Sequence, residues 1–167
     1  MTEAEPVIAP LDEVEIDALA ALARVVWQAT YPALISQAQI DFMLADRYAA
    51  RRIRAQLADP AHHWLTARTH DTLAGFAHLS LDAGAAKLDK LYVDPARQRT
   101  GLGRALFDAV RQRAVNADAR TLWLQVNRGN TRAVAAYRQW GFVVIEEKIF
   151  DIGAGYQMDD YVMEIAL

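Results

Sequence analysis

The chain has 167 residues, 53% of them hydrophobic, a formal net charge of -3 and no cysteine. That length and apolar fraction fit one globular domain, expected to span 1–167, and the lack of cysteine excludes a disulfide framework, a zinc–cysteine site and a cysteine nucleophile. The net charge argues against nucleic acid as a partner and no apolar run is long enough to span a bilayer; the acidic start Met1-Thr-Glu-Ala-Glu-Pro6 lacks the basic start of a signal peptide, so a cytoplasmic, non-membrane location is expected.

Val7 to Leu11 reads as a short first strand. Val14 to Thr30 carries Ile16, Leu19, Ala20, Ala23 and Trp27 at helical spacing, and Tyr31-Pro32 ends it. Ser36 caps a second helical region with Ile40, Met43 and Leu44 on its apolar face. Helix is expected to continue over Tyr48 to Leu57 and to close at Asp59-Pro60. Trp64 to Ala67 and Leu73 to Leu81 read as strands joined by a tight turn near His70-Asp71, and Ala85 to Val93 is the next strand. Its apolar period slips by one residue between Asp89 and Lys90, as a β-bulge makes it. A helix over 102–117, a strand over Thr121 to Val126, a helix around Tyr137, and strands over Phe142 to Phe150 and Tyr156 to Ile165 complete the chain, without repeats or low-complexity segments.

The most telling stretch joins the Ala85–Val93 strand to the following helix. Asp94-Pro95 stops the strand, and Gln98-Arg-Thr-Gly101-Leu-Gly103 leads into a helix with Leu102, Ala105, Leu106, Ala109 and Val110 on one side. A helix start offers free N–H groups and the positive end of the dipole, and glycines let a ligand approach the backbone. With Arg97, Arg99 and Arg104 nearby, this reads as a pyrophosphate cradle. No G-x-x-x-x-G-K-[ST] run exists, and Leu106 occupies the third position of a G-x-G-x-x-G fingerprint.

The spacing Val93-x-Pro95-x-x-Gln98-x-x-Gly101-x-Gly103 resembles the acyl-CoA loop, Q/R-x-x-G-x-G/A, of the GNAT superfamily of N-acetyltransferases, although Arg99 stands where many members have glycine. Asn130-x-x-Ala133-x-x-x-Tyr137-x-x-x-Gly141-Phe142 matches the closing motif of that superfamily in full. The resemblance implies a mixed α/β (α+β) GNAT-like fold, a central, mostly antiparallel, splayed sheet flanked by helices. It implies acetyl-CoA as co-substrate, with no metal. Gln98, Arg99, Thr100, Gly101, Leu102, Gly103 and Arg104 would hold its pyrophosphate, and Asn130 would help hold the cofactor. Leu91, Tyr92 and Val93 would line the pantetheine arm where the bulged strand parts from Leu122–Val126, and Tyr137 would protonate the leaving sulfur. The implied reaction is direct attack by a primary amine in a ternary complex.

The remaining candidates concern the acceptor. Phe150 to Glu164 and Asp41 to Tyr48 resemble the spermidine/spermine acetyltransferase (PaiA) branch, which implies a polyamine or other small amine. A protein N-terminal amine, a non-catalytic acyl-CoA sensor and a nucleotide-binding regulatory module are the alternatives, and a homodimer is left open. Tyr31, at a helix end, is a candidate for the acceptor wall, whereas Trp27 and Tyr48 read as core. Glu146-Glu147 and Asp159-Asp160 either attract a cationic amine or are solvated edges. His62 and His63 point to opposite faces of a strand, and His70 and His78 complete no ligand spacing, so no metal site is expected. The amine must lose a proton before attack. Asp89 is nearby, its direction left open by the bulge.

Overall fold

The computed structural model describes residues 5–167. In chain order the elements are β1 (Val7–Pro10), α1 (Ile16–Thr30), α2 (Gln37–Arg47), α3 (Ala50–Leu57), β2 (His62–Thr69), β3 (Thr72–Asp82), β4 (Ala85–Val93), α4 (Leu102–Asn116), β5 (Thr121–Asn127), α5 (Thr131–Gln139), β6 (Val143–Gly153) and β7 (Tyr156–Ala166). The strands form one sheet in the order β1-β2-β3-β4-β5-β7-β6. Every neighbouring pair is antiparallel except β4 and β5, which are parallel. This is the mixed, mostly antiparallel sheet expected from the resemblance.

Local chemistry sets most element ends. Asp12 and Glu15 form a capping box around the 3-10 turn Glu13–Glu15, so α1 starts at Ile16 rather than Val14, which stays exposed. Ser36 accepts a hydrogen bond from the Gln39 N–H at the start of α2, as expected. The helix expected to run on from Tyr48 instead breaks there. Tyr48 closes α2, Ala49 is extended, and α3 begins at Ala50. The reason is packing: the buried Tyr48 ring meets Trp64 and Phe76 edge-on, and its hydroxyl accepts from Trp27 Nε1 at 3.2 Å. His70 and Asp71 turn β2 into β3 with left-handed backbones, φ 48° and 61°.

Both faces of the sheet are covered. Leu19, Ala23, Trp27, Ile40, Met43 and Ile53 from α1–α3 pack with Trp64 and Phe76 on one side. Leu102, Leu106, Phe107 and Val110 of α4 pack with Leu65, Leu79, Leu122 and Phe142 on the other. Leu106 and Phe107 are fully buried, and burial of such side chains stabilises by roughly 1.5–3 kcal/mol each.

The sheet opens in one place. β4 pairs with β5 only over Ala85–Lys87 and Thr121–Trp123. Against β3, Lys90 faces His78 and Leu88 faces Leu79, so Asp89 is the extra residue of a bulge. The slipped period read from the sequence is therefore real. Beyond the bulge β4 leaves β5, while β5 continues along β7 to Asn127.

Candidate active site

A groove of about 890 Å³ occupies the opening between β4 and β5. At one end the turn Pro95–Arg97, capped by Asp94 through the Ala96 N–H, carries the chain towards α4. Gly101 is the N-cap of α4 in the left-handed region, φ 83°, which glycine adopts without steric cost. No side chain caps this helix, so its first-turn N–H groups are left for a ligand. A Cβ at Gly103 would stand 3.6 Å from the Trp140 ring, an ordinary contact. Gln98, Arg99, Gly101, Gly103 and Arg104 line the groove. Leu102 turns its side chain into the core, leaving only its backbone to the loop, and Thr100 Oγ1 donates to the Arg97 carbonyl at 2.5 Å instead of lining the groove.

The cations divide. Arg97 is hydrogen-bonded to Thr69 Oγ1 and is not part of the lining, a departure from the expected cluster of three. Arg104 pairs with Asp108 at 3.0 Å and lies over the Phe107 ring. Arg99 has φ 64°. This left-handed conformation gives a physical reason for glycine at the corresponding position of many GNAT loops.

At the other end, Asn130 caps α5, its Oδ1 accepting from the Ala133 N–H at 3.3 Å. Tyr137, two turns on, packs edge-on against Trp140 and Phe142 and lines the groove. Burial pushes its phenol above the ordinary range, so the hydroxyl keeps its proton. Leu91, Tyr92 and Val93 line the β4 side. The Tyr92 ring packs on Trp27 and Phe76, and its hydroxyl lies 3.0 Å from that of Tyr31, which also lines the groove. Trp27 and Tyr48 belong to the core, as expected. Loop, Asn130, Tyr137, Tyr31 and the end of β4 thus meet around one cavity.

Asp89 is fully engaged. Its Oδ2 lies 2.5 Å from Lys90 Nζ and 3.1 Å from His78 Nδ1, and its Oδ1 lies 3.3 Å from Lys87 Nζ. His78 and the two lysines hold this carboxyl far below the usual range despite burial. Because an ionised carboxylate only accepts, His78 carries its proton on Nδ1, and its Nε2 accepts from His62 Nδ1 at 2.9 Å. Burial lowers His78 to about 4, so it is neutral near pH 7. A carboxylate held this strongly is a poor proton acceptor.

Residues 23–142 match the Acetyltransferase (GNAT) family. The chain belongs to that family. It is 39% identical over 70 residues to the [Ribosomal protein bS18]-alanine N-acetyltransferase of Escherichia coli K12, covering 42% of this chain and 47% of that protein. It is 40% identical over 103 residues to the mycothiol acetyltransferase of Kineococcus radiotolerans, covering 58% of this chain and 32% of that one. The matched stretch therefore spans about half the length of the first of these curated relatives and about a third of the second. The fold overlays the PaiA N-acetyltransferase from Thermoplasma acidophilum, solved in complex with coenzyme A, with a TM-score of 0.87 over 98% of this chain and 100% of that chain at 23% identity.

Within this GNAT chain the acidic doublets do not act as pairs. Glu146 and Glu147 are exposed on β6, and Glu147 and Asp159 both face Arg128 at 3.2 and 3.7 Å. Asp160 is only 5% exposed, and its Oδ1 has no hydrogen-bond partner among the described residues. The alternation Met158, Asp160, Val162, all buried, was the signal for this, since Asp159 is out of phase with it. Gly75 belongs to no motif in the sequence, yet a Cβ there would meet the Tyr92 carbonyl at 2.9 Å. Among the described residues no three His, Asp or Glu groups are placed to hold a metal ion, and no helix is long and apolar enough to cross a membrane.

Proposed function

We propose that this protein is an acetyl-CoA-dependent N-acetyltransferase, a single domain over 1–167, that acts on a small primary amine of the polyamine class by direct attack in a ternary complex. The observation that carries this reading is the parting of β4 from β5 between the uncapped start of α4 and Tyr137. That opening has an anion-binding end, two walls of unequal pairing and a phenol that keeps its proton.

Each residue then has a defined task. Backbone N–H groups from Gln98 to Arg104 hold the pyrophosphate, with Arg99 and Arg104 adding charge. Leu91, Tyr92 and Val93 hold the pantetheine arm, and N–H groups near Leu91 and Val93 stabilise the developing oxyanion. Asn130 fixes the start of α5 and contacts the cofactor. Tyr137 protonates the departing sulfur, and Tyr31 forms part of the acceptor wall.

Two measurements test the assignment. Gly103→Asp puts a negative charge where the anion would bind, so calorimetric affinity for acetyl-CoA should fall strongly in a folded variant; unchanged affinity removes the cradle. Tyr137→Phe should lower kcat about 10²-fold, the low end for a positioned acid, with little change in acetyl-CoA affinity. Wild-type kcat under chemistry-limited conditions removes Tyr137 from its role.

The polyamine reading is supported by the likeness at Asp41–Tyr48 and Phe150–Glu164. A second reading, a protein N-terminal amine, is favoured by the 39% identity to the bS18-alanine enzyme. CoA release from a panel of polyamines, monoamines, aminoglycosides and N-terminal peptides at low and high salt decides between them. Polyamines should lead, with an advantage that shrinks as salt rises; preference for a peptide selects the second reading.

A further inference from the structure

An amine that arrives as an ammonium ion needs a counter-charge and then a proton acceptor. Asp89 can serve as neither, since His78, Lys87 and Lys90 already occupy it. Among the described residues, the buried carboxylate on the face of the sheet under α1 and α2 is Asp160. Asp160 on β7 stands opposite Asn127 on β5, so it shares a face with Asn127, Gln125 and Trp123. Gln125 lines the groove and accepts from Lys87 at 2.5 Å. Met158, two residues before Asp160 on the same face of β7, packs in one cluster with Tyr31, so Asp160 faces the side of the sheet on which Tyr31 lines the groove. It makes no ion pair among the described residues, and its Oδ1 is buried without a donor.

The charged groups around it come from four elements. Arg47 at the end of α2 and Lys87 on β4 favour the anion, Asp159 on its own strand disfavours it, and Lys148 stands opposite on β6. Burial outweighs the cations and raises the carboxyl to about 6. A buried anion with no partner is costly, and a cation at Tyr31 would relieve that cost.

We propose that Asp160 is the proton acceptor of the reaction, receiving the acceptor amine as its ammonium ion beside Tyr31 and taking one proton from it before attack. The inference rests on the acetyltransferase reading above. The nitrogen forms its bond to the acetyl carbonyl carbon, and the C–S bond breaks with its electron pair on sulfur. Of the two protons the nitrogen loses, one passes to Asp160 and on to solvent. The other balances the proton that Tyr137 gives the thiolate. A poised carboxyl with a value near working pH suits this task better than one held far below it.

The test has two parts. With the fastest amine of the panel, kcat/KM of the wild type should rise through an acid limb centred near pH 6. Asp160→Asn should lose that limb and fall about 10²-fold, with acetyl-CoA affinity retained and a thermal midpoint no lower than that of the wild type, and Asp160→Glu should recover part of the rate and of the limb. An Asn variant with the wild-type rate and limb overturns the proposal. In the second part, the ¹³C carboxyl signal that Asp160→Asn removes is titrated in the acetyl-CoA-free protein. n-Butylammonium should displace its midpoint to lower pH while n-butanol leaves it in place, and no response to the ammonium ion overturns the proposal. A wild type that turns over no amine defeats the acetyltransferase reading instead, and the titration still decides whether Asp160 meets an amine.

Discussion

Two carboxylates on the sheet differ in every respect that matters for charge. Asp89, on the β4 side of the groove, is surrounded by His78, Lys87 and Lys90 and is held ionised. Asp160, on the β7 side, is less exposed still, yet it makes no ion pair among the described residues and its Oδ1 has no donor, and its carboxyl is raised to about 6. One is part of the architecture of the bulge, because the extra residue in β4 turns it towards β3 and the two lysines. The other is an unmet charge that the fold tolerates. Burial alone does not assign a role to an acid; the presence or absence of a donor does.

The largest expected effect breaks the β4 side. Asp89→Asn leaves the buried Lys90 ammonium without its counter-charge, over the Trp64 and Tyr48 rings. Removing one partner of a buried pair costs roughly 3–5 kcal/mol. The sign with pH is fixed by the direction of the Asp89 shift. Its folded value lies below the unfolded one, so its stabilisation is present above about pH 4 and is lost as acid protonates it. Denaturant midpoints at pH 7 should drop sharply in the variant, and the difference from wild type should narrow towards pH 3. An Asn variant as stable as wild type at pH 7 would remove the contrast between the two sites.

Asp160→Asn should move stability in the opposite direction. The folded value of about 6 lies above the ordinary 3.8, so the neutral acid stabilises fully below about pH 3.8 and that contribution is lost as pH rises through 6. Ionised and unpaired at pH 8, Asp160 then lowers stability. The neutral amide should therefore gain on the order of 2 kcal/mol at pH 8, less than the shift alone implies because the amide is itself left unsatisfied. The gain should vanish by pH 4. A variant that is more stable but slower would mark a site where function is held against stability. Thermal unfolding at pH 4 and pH 8 reads this directly.

The contrast also explains what was legible in the chain. The cradle and the Asn130–Tyr137 helix were readable because their signals are local. Gly101 sets its own backbone, Asn130 caps its own helix, and Asn130 and Tyr137 come to one face by turn geometry alone. The bulge was readable because Asp89 breaks a period of two within one strand. The break at Tyr48 was not, because it depends on the distant Trp27, Trp64 and Phe76. Nor was the division of labour between Asp89 and Asp160, since their partners come from other strands. His78 is eleven residues from Asp89, and only the β3–β4 register brings them to 3.1 Å.

A smaller effect tests how closely the β4 side is built. Gly75 on β3 faces Val93, and a Cβ there would stand 2.9 Å from the Tyr92 carbonyl and 3.2 Å from Leu106 Cδ1. The first of these is backbone and cannot swing aside. Gly75→Ala should cost about 1.5 kcal/mol, within the usual range for overpacking, and should weaken acetyl-CoA binding by displacing the end of β4. The same change at Gly103, where the nearest atom is 3.6 Å away, should leave stability almost unaltered. Equal stability losses at the two glycines, read from denaturant midpoints, would show that the close approach at Gly75 is not a constraint.

The smallest effect asks whether the cradle binds by charge or by backbone. Arg99 holds φ 64°, a conformation that costs a non-glycine residue about 1 kcal/mol. Arg99→Gly removes that cost but frees the unfolded chain, which opposes the gain by roughly 0.4–1 kcal/mol. The two effects nearly cancel, so the midpoint of unfolding should move by less than about 0.5 kcal/mol. Binding should change more visibly. The guanidinium lines the groove with no ion-pair partner among the described residues, whereas Arg104 is paired with Asp108. Its loss should lower acetyl-CoA affinity a few-fold at low ionic strength and hardly at all at high salt, where exposed charges are screened. An affinity independent of Arg99 at every salt concentration would assign the anion to the backbone N–H groups alone, and a collapse in affinity would make the side chain the principal holder.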